Sequence, residues 1–186
     1  MSNSLYFLRH AETKIKPDVS AREWNLTKAG RLSTQEIVET QVFDKINGII
    51  HSSEKKAKQT ANIFAKAINV ETYELPEIDE LHRNHEGSLT NEEYRARVRA
   101  TLTDWEHNET GWESGETALT RFKEGVRRIN MMFHDMNILA VSHGLVLTLF
   151  FSDLTNLRNI AYERWAQLKF LSWGLVRDSR VLNDIV

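Results

Sequence analysis

The sequence predicts an α/β fold, a three-layer sandwich in which a mostly parallel central sheet is flanked by helices. Three short apolar runs, Leu5–Leu8, Gly48–Ile50 and Ile138–Val141, show no alternation of apolar and polar residues. Such runs are typical of strands that are buried on both faces of a parallel sheet. Amphipathic helical patterns lie between these runs, and strands that alternate with helices indicate βαβ units.

Four stretches place apolar residues at helical spacing. They are Leu26–Phe43; Ala57, Ala61, Phe64 and Ile68; Tyr94, Val98, Leu102 and Trp105; and Ala118, Phe122, Val126, Ile129 and Phe133. The first is the least regular and contains Gly30. Thr90 and Glu93 have the spacing of a capping box, which predicts the start of the third helix. The stretch from Trp165 to Val176 alternates in part and predicts one or two final strands, with an antiparallel edge.

The composition is that of an ordinary globular chain, with 41% hydrophobic and 27% charged residues. Its 186 residues suit a single domain, 1–186, and the net charge of −2 argues against nucleic acid as a partner. The absence of cysteine excludes disulfides, thiolate nucleophiles and cysteine-based zinc sites, and it fits a cytoplasmic location. The start, Met1–Ser4, does not resemble a secretory signal, and the apolar run Leu145–Phe151 is too short to span a membrane.

Polar and charged residues follow each of the three predicted strands directly. Arg9 and His10 follow the first strand, His51–Ser53 the second, and Ser142–Gly144 the third. In open parallel sheets, ligands bind beyond the carboxyl ends of the strands. These residues should therefore converge on one crevice with the start of the helix near Lys56, where free backbone N–H groups favour an anion. Two histidines, an arginine and a lysine at such a place predict a phosphate site.

Each of these residues also has an ordinary structural reading when it is taken alone. A histidine at a strand end is commonly structural, and Lys55, Lys56 and Lys58 are most simply the solvated face of a helix. Their coincidence at one end of the predicted sheet favours the phosphate site. A metal site is the main chemical alternative, since histidine is a common ligand. The His-Glu-x-x-His spacing is absent, however, and Arg9 and Lys56 would repel a cation. We therefore expect neither a metal nor a cofactor.

Five blocks of residues occur along the chain in a recognisable order. They are Leu8–Thr13 (Leu-Arg-His-Ala-Glu-Thr), Leu26–Gly30 (Leu-Thr-Lys-Ala-Gly), Ser52–Ala61, Gly115–Thr117 with Arg121, and Val141–Gly144 (Val-Ser-His-Gly). Together they resemble the motifs of the histidine phosphatase superfamily, which includes the phosphoglycerate mutases. The resemblance covers almost the whole chain. Two departures stand out: Ala11 replaces the commoner glycine, and Lys56 stands where the family usually has a second arginine.

The resemblance implies a role for each residue at a matching position. His10 would be the nucleophile that takes the phosphoryl group. The groups that bind the phosphoryl oxygens would be Arg9, Thr13, Lys56 and His143, and His143 would also take part in catalysis. An ammonium is a point charge on a flexible stem, whereas a guanidinium holds two oxygens in a fixed fork. We therefore expect Lys56 to support catalysis with weaker positioning of the phosphate.

The resemblance also implies a carboxylic acid that gives a proton to the leaving group. The region 77–83 holds the best candidates, and Glu80 is the preferred one, with Asp79 and Glu86 as alternatives. The segment at about 75–112 should cover the crevice and select the substrate. Its basic residues, some of which could bind a second anionic group, are His82, Arg83, His85, Arg95, Arg97 and Arg99.

The predicted phosphate site and the resemblance together imply a metal-independent phosphatase that hydrolyses a phosphomonoester or a phosphohistidine through a covalent phosphohistidine intermediate. Its partner would be a small phosphorylated substrate or a phosphoprotein, with no role for membrane and with an undetermined oligomeric state. A phosphoglycerate-type mutase is one alternative, although the chain is short for one and lacks the Glu-Arg-His-Tyr-Gly acid motif. A phosphate-binding or interaction module without activity is the other.

Overall fold

The computed structural model of the chain describes residues 2–43, 45–83, 89–108 and 111–186. In this part of the chain, six strands form one sheet. They are β1 (Ser4–Arg9), β2 (Gly48–His51), β3 (Thr72–Glu74), β4 (Asn137–Ser142), β5 (Trp173–Arg177) and β6 (Arg180–Asn183), in the order β3-β2-β4-β1-β5-β6. The first four pair in parallel, and β5 and β6 are antiparallel. The predicted fold class, with its antiparallel edge, is confirmed.

Six α-helices flank this sheet in the described chain. They are α1 (Lys28–Glu39), α2 (Lys55–Ile68), α3 (Asn91–Thr103), α4 (Gly115–Met132), α5 (Gly144–Leu154) and α6 (Ala161–Gln167). The four predicted helices are present as α1 to α4, and Thr90 and Glu93 form the predicted capping box at the start of α3. Trp105 and Phe133 lie just beyond the ends of α3 and α4. None of the described helices has the length and apolar character needed to cross a membrane.

The prediction that Trp165–Val176 forms strands is wrong for the residues before Trp173. Trp165 lies in α6, which has only seven residues, too few for helical periodicity to be visible in the sequence. The strands begin at Trp173, and the second of them, β6, lies beyond the predicted range.

Alternating residues of β1 enter two different cores. Leu5 and Phe7 pack in a core with α4 and α5, and with parts of α3 and α6. Tyr6 and Leu8 pack on the opposite face, in the core that contains α2 and the partly buried residues of α1. The strand is apolar throughout because both of its faces are covered, as expected for the middle of a three-layer sandwich.

The Leu26–Gly30 block contacts the loop that follows β1 and fixes its position. Thr27 caps α1, since its hydroxyl accepts a hydrogen bond from the N–H of Gly30 at 2.9 Å. The N–H of Thr27 donates to the carbonyl of Glu12 at 3.0 Å. A Cβ at Gly30 would lie 2.5 Å from that same carbonyl oxygen, so α1 can approach the loop this closely only with glycine at this position.

Candidate active site

His10 lies at the carboxyl end of β1, next to the end of β4. Its backbone N–H donates to the carbonyl of Ser142 at 2.9 Å. The ring is buried, and Nδ1 lies 2.8 Å from the carbonyl oxygen of Ala11. A carbonyl can only accept, so Nδ1 carries the ring hydrogen and Nε2 keeps its lone pair. The backbone thereby sets the tautomer in which Nε2 can act as a nucleophile.

The surroundings of His10 keep its ring neutral. Burial lowers the pKa of His10 well below its usual value, and His143, Lys56 and Arg9 lower it further, against a smaller raising effect of the Ala11 carbonyl. The rings of His10 and His143 have their centroids 5.2 Å apart. Only the neutral imidazole has a lone pair to offer a phosphorus atom, so this environment favours nucleophilic attack.

His143 is fully buried at the N-terminus of α5. Its Nε2 lies 2.6 Å from the hydroxyl of Ser52, which itself accepts a hydrogen bond from the N–H of Glu54. This leaves the Ser52 hydrogen for Nε2, so we assign the hydrogen of the neutral ring to Nδ1. Nδ1 has no hydrogen-bond partner within the described chain. A buried donor without a partner is suited to an anion that enters the site.

Arg9 places a positive charge against the first turn of α5. Its Nη1 donates to the carbonyl of Leu168 at 2.5 Å, and its guanidinium lies 4.5 Å from the ring centroid of Phe170. A Cβ at Gly144 would be 3.3 Å from Cζ of Arg9, so a larger residue after the second histidine would require the guanidinium to shift. Burial lowers the pKa of Arg9, and the Glu80 carboxylate offsets part of this effect. A guanidinium stays charged in such a place.

Lys56 lies in the first turn of α2, and its positive charge lowers the pKa of both His10 and His143. Its ammonium donates to the carbonyl of Ala21 at 2.8 Å and forms an ion pair with Glu54. Burial raises the pKa of Glu54, but Lys56, Arg22 and Arg83 together outweigh it, so the net pKa is lowered and the carboxylate is ionised. The structure thus brings Lys56 into the site, already paired with a carboxylate that the sequence analysis did not single out.

Glu80 lies at the start of α5 and is buried. Its carboxylate accepts hydrogen bonds from the N–H groups of Leu145 at 3.2 Å and Val146 at 3.1 Å. A third comes from Leu81 at 3.1 Å. The side chain therefore caps α5 in place of His143, whose own side chain makes no capping bond. The carboxyl group is thereby held at the N-terminus of the helix that begins directly after His143.

Asp79, the first alternative to Glu80, directs its oxygens to the start of α2 and to Arg22, and not to the start of α5. It accepts hydrogen bonds from the backbone and hydroxyl of Ser53 at 2.7 and 2.6 Å and forms an ion pair with Arg22 at 2.7 Å. These contacts fasten its loop to the start of α2. Glu86, the second alternative, lies outside the described residues.

Arg121 of α4 fixes the loop that carries Glu80. Its guanidinium donates to the carbonyls of Glu77, Asp79 and Glu80 at 3.0, 3.0 and 3.1 Å. It also pairs with Glu113 at 2.7 Å. This is the physical role of the block formed by 115–117 and Arg121: the arginine binds a backbone turn, and the turn presents the carboxylate.

A pocket of about 700 Å³ adjoins these residues. Its lining consists of Arg22, Ser53, Pro76, Glu77, Asp79, His82, Arg83 and Arg121. Ser53 and Asp79 are the chain neighbours of Ser52 and Glu80, so the pocket opens beside the histidines without being lined by His10. It has the position expected for the part of a ligand that is not the phosphate.

The comparison of the chain with protein families decides its membership. The model of the histidine phosphatase superfamily (branch 1) matches residues 5–177, which include every block discussed above. The chain belongs to the histidine phosphatase superfamily. No curated protein matches the sequence.

Solved structures of the superfamily's fold superpose on most of the chain. A mycobacterial glucosyl-3-phosphoglycerate phosphatase has a TM-score of 0.76 at 18% identity, with 97% of this chain and 93% of the other covered. The YhfR protein of Bacillus stearothermophilus has a TM-score of 0.77 at 19% identity, with 98% and 95% covered. A mutant phosphoserine phosphatase from Entamoeba histolytica, in complex with phosphoserine, has a TM-score of 0.73 at 19% identity, with 97% and 94% covered. At these identities the likeness shows the shared fold.

Thr13, a predicted phosphate-binding residue, has no contact with the other site residues among those found in the described chain. It forms a bridge with Leu26 across the loop after β1, and within the described residues its side chain makes no hydrogen bond to Arg9, His10 or Lys56. Its role in binding phosphate stays a prediction. Arg22, which the sequence analysis did not mention, also lies there with Glu54, which it did not single out. Ser52 and Arg83 lie there too, although the sequence analysis named them only as members of wider groups of residues.

The buried histidines of this superfamily member make its stability depend on pH. Burial, as the largest cause, lowers the pKa of both His10 and His143 well below 6.5. Below pH 6.5 the unfolded chain therefore binds protons that the folded chain does not, and the free energy of unfolding falls as the pH falls. Between pH 6.5 and 5 we expect a loss of up to about 2 kcal/mol for each histidine.

Urea unfolding at pH 7.5, 6 and 5 measures this loss. The variant His143→Asn should show a shallower pH dependence than the wild type, because one of the three buried imidazoles with a lowered pKa (His10, His51 and His143) is gone. His134→Ala changes an exposed histidine and should follow the wild type. Equal stability of the wild type at pH 7.5 and 5 would contradict the expectation.

Proposed function

We propose that this histidine phosphatase superfamily member is a metal-independent phosphatase that hydrolyses a phosphomonoester or a phosphohistidine through a phosphorylated His10. The observation that carries the proposal is the state of His10, a neutral ring whose Nε2 lone pair is left free by the Nδ1 contact with Ala11. Arg9 and Lys56 supply positive charge for the phosphoryl oxygens, and the neutral ring of His143 supplies an Nδ1–H donor that has no hydrogen-bond partner in the described chain.

The reaction has two steps in this scheme. In the first, Nε2 of His10 attacks phosphorus, the bond between phosphorus and the leaving oxygen breaks, and Glu80 gives that oxygen a proton. In the second, water attacks the phosphohistidine, the carboxylate of Glu80 takes a proton from the water, and the P–N bond breaks to release inorganic phosphate. The departing oxygen of an alkyl ester needs a proton, and one carboxyl group can give that proton and later take one from the attacking water.

Two relatives of the same fold support hydrolysis as the reaction. The mycobacterial protein is a glucosyl-3-phosphoglycerate phosphatase, and the Entamoeba histolytica protein is a phosphoserine phosphatase. A phosphoglycerate-type mutase stays the alternative within the superfamily. A second candidate, a phosphate-binding module without activity, is favoured by one observation: the ammonium of Lys56 is already held by Glu54 and by the Ala21 carbonyl.

Trapping of the phosphorylated protein separates these functions. The protein is mixed with p-nitrophenyl [³²P]phosphate, quenched in alkali and digested, and the labelled peptide is identified by mass spectrometry. We expect an acid-labile label on His10 that is discharged to inorganic phosphate over time. A label that is transferred to an added phosphoglycerate would indicate a mutase. Hydrolysis without any label on His10 would overturn the mechanism, and binding without hydrolysis would favour the module.

A further inference from the structure

Within the described chain, the carboxylates and arginines that line the pocket beside the histidines form ion pairs, with one exception. Three ion pairs account for most of them: Arg22 with Asp79, Arg121 with Glu113, and Arg128 with Glu77. Arg83 is the exception, since no carboxylate of the described chain forms an ion pair with its guanidinium. The lining therefore keeps the unpaired positive charge of one arginine.

Two aromatic rings hold Arg83 in place. Its guanidinium carbon lies 5.3 Å from the ring centroid of Tyr94 and 5.2 Å from that of Trp112. Its backbone forms an isolated bridge with Trp112, which is buried. Stacking on aromatic faces orders a guanidinium and leaves its N–H groups, which point outward in the plane, available to an acceptor. Arg83 is therefore preorganised for an anion: within the described residues no carboxylate forms an ion pair with it, and its charge acts on Glu54 only as one of the weaker causes of the lowered pKa of that residue.

The position of Arg83 relates it to the leaving group. It lies three residues after Glu80, the candidate proton donor, and it lines the pocket that opens beside that residue. Its charge also acts on His143. Burial and Lys56 are the two largest causes of the lowered pKa of His143, and Arg83 is the third. A substrate with its phosphorus at His10 and its leaving oxygen at Glu80 would extend its alcohol part toward Arg83.

We propose that Arg83 binds a carboxylate carried by the alcohol part of the substrate, so that the protein prefers carboxylated phosphomonoesters. This inference rests on the proposed phosphatase function. A planar guanidinium presents parallel N–H groups that match the two oxygens of a carboxylate. A single unpaired positive charge balances one carboxylate, whereas a second phosphate carries a charge of about −1.5 to −2 and would exceed it.

The test compares two substrates that differ in one group. 3-Phosphoglycerate carries a carboxylate where glycerol 3-phosphate carries a hydroxymethyl group. We expect kcat/KM for the first to be at least about tenfold higher, as for a hydrogen-bonded charge pair. In Arg83→Met, which keeps an apolar side chain between the rings, this ratio should fall to near one. Arg83→Lys should retain part of it, because the charge stays and the fork is lost.

A matched control is Arg95→Met. Arg95 also stacks on an aromatic ring, 5.5 Å from the centroid of Trp165, but it does not line this pocket. In Arg95→Met, the ratio of kcat/KM for 3-phosphoglycerate to kcat/KM for glycerol 3-phosphate should equal that of the wild type. Propane-1,3-diol bisphosphate serves as a third substrate, and a preference for it over 3-phosphoglycerate would overturn the choice of carboxylate in favour of a second phosphate.

The outcomes separate this inference from the proposed function. If p-nitrophenyl phosphate is hydrolysed through His10 while the two glycerol derivatives react equally, the carboxylate site is wrong and the phosphatase stands. If nothing is hydrolysed, the phosphatase is wrong, and the affinities of the same two compounds, measured by calorimetry, test Arg83 directly. Equal affinities in the wild type, or a preference that survives Arg83→Met, would then overturn the inference.

Discussion

The substitution His10→Ala is expected to reduce kcat/KM for p-nitrophenyl phosphate by at least about a thousandfold, as removal of a covalent nucleophile does. The ring supplies the only atom in the proposed scheme that bonds to phosphorus, and its Nε2 is the nitrogen that the Ala11 contact leaves free. Hydrolysis is followed by the release of p-nitrophenolate. The wild type should keep its full rate in a chelator, because side-chain cations do the work of neutralising the phosphate.

Two controls accompany this substitution. His134→Ala removes an exposed imidazole and should hydrolyse the substrate as the wild type does. Thermal unfolding of His10→Ala shows whether the variant is folded, since removal of a buried ring leaves a cavity. A folded His10→Ala protein with undiminished activity would exclude the phosphohistidine mechanism. Loss of activity in the chelated wild type would exclude metal independence and leave the role of His10 open to the trapping experiment.

The substitution Glu80→Gln is expected to act selectively on substrates with poor leaving groups. An alkoxide needs a proton as it departs, and the loss of a general acid commonly costs about a hundredfold to ten-thousandfold in rate. Nitrophenolate is stable without a proton. In Glu80→Gln, kcat/KM should therefore fall by about a hundredfold or more for an alkyl phosphate and much less for p-nitrophenyl phosphate. Because kcat/KM reports the steps up to phosphoryl transfer, the later hydrolysis of phosphohistidine does not obscure the comparison.

Asp79→Asn is the matched comparison for Glu80→Gln. Asp79 neighbours Glu80 in the chain, but its oxygens bind Ser53 and Arg22. Its substitution should affect both substrates by the same factor through the position of the loop. Glu80→Gln also weakens the cap of α5, by about 1–3 kcal/mol, and this loss too is common to both substrates. A selective effect of Asp79→Asn, with a uniform effect of Glu80→Gln, would move the donor role to Asp79.

The parts of the fold that could be predicted are those with a local signal. Buried parallel strands are continuous apolar runs, and amphipathic helices repeat every 3.6 residues, so β1, β2, β4 and the helices α1 to α4 were visible. The short helix α6 was not, because seven residues carry too few turns. Arg9, His10 and His143 could be placed together because parallel neighbouring strands end at the same edge of the sheet.

The residues that were missed depend on contacts that no local pattern encodes. Arg22 belongs to the short helical turn Ala21–Glu23, far from Asp79 in the chain, and meets it only in the folded structure. Glu54 forms an ion pair with Lys56 only two residues further on, a spacing at which side chains within a helix do not face each other, so the pattern did not indicate the pair. Arg83 was among six basic residues, and only its two aromatic neighbours set it apart.

The contact between Arg9 and Leu168 joins residues 159 positions apart. Arg9 acquires its carbonyl partner and the ring of Phe170 only when the segment before β5 has returned to lie beside β1. Closing such a long loop costs entropy that shorter contacts do not, so it is expected late in folding. During refolding from denaturant, helical signal should therefore recover before activity, and the return of turnover would report that the whole sheet, including its antiparallel edge, has assembled.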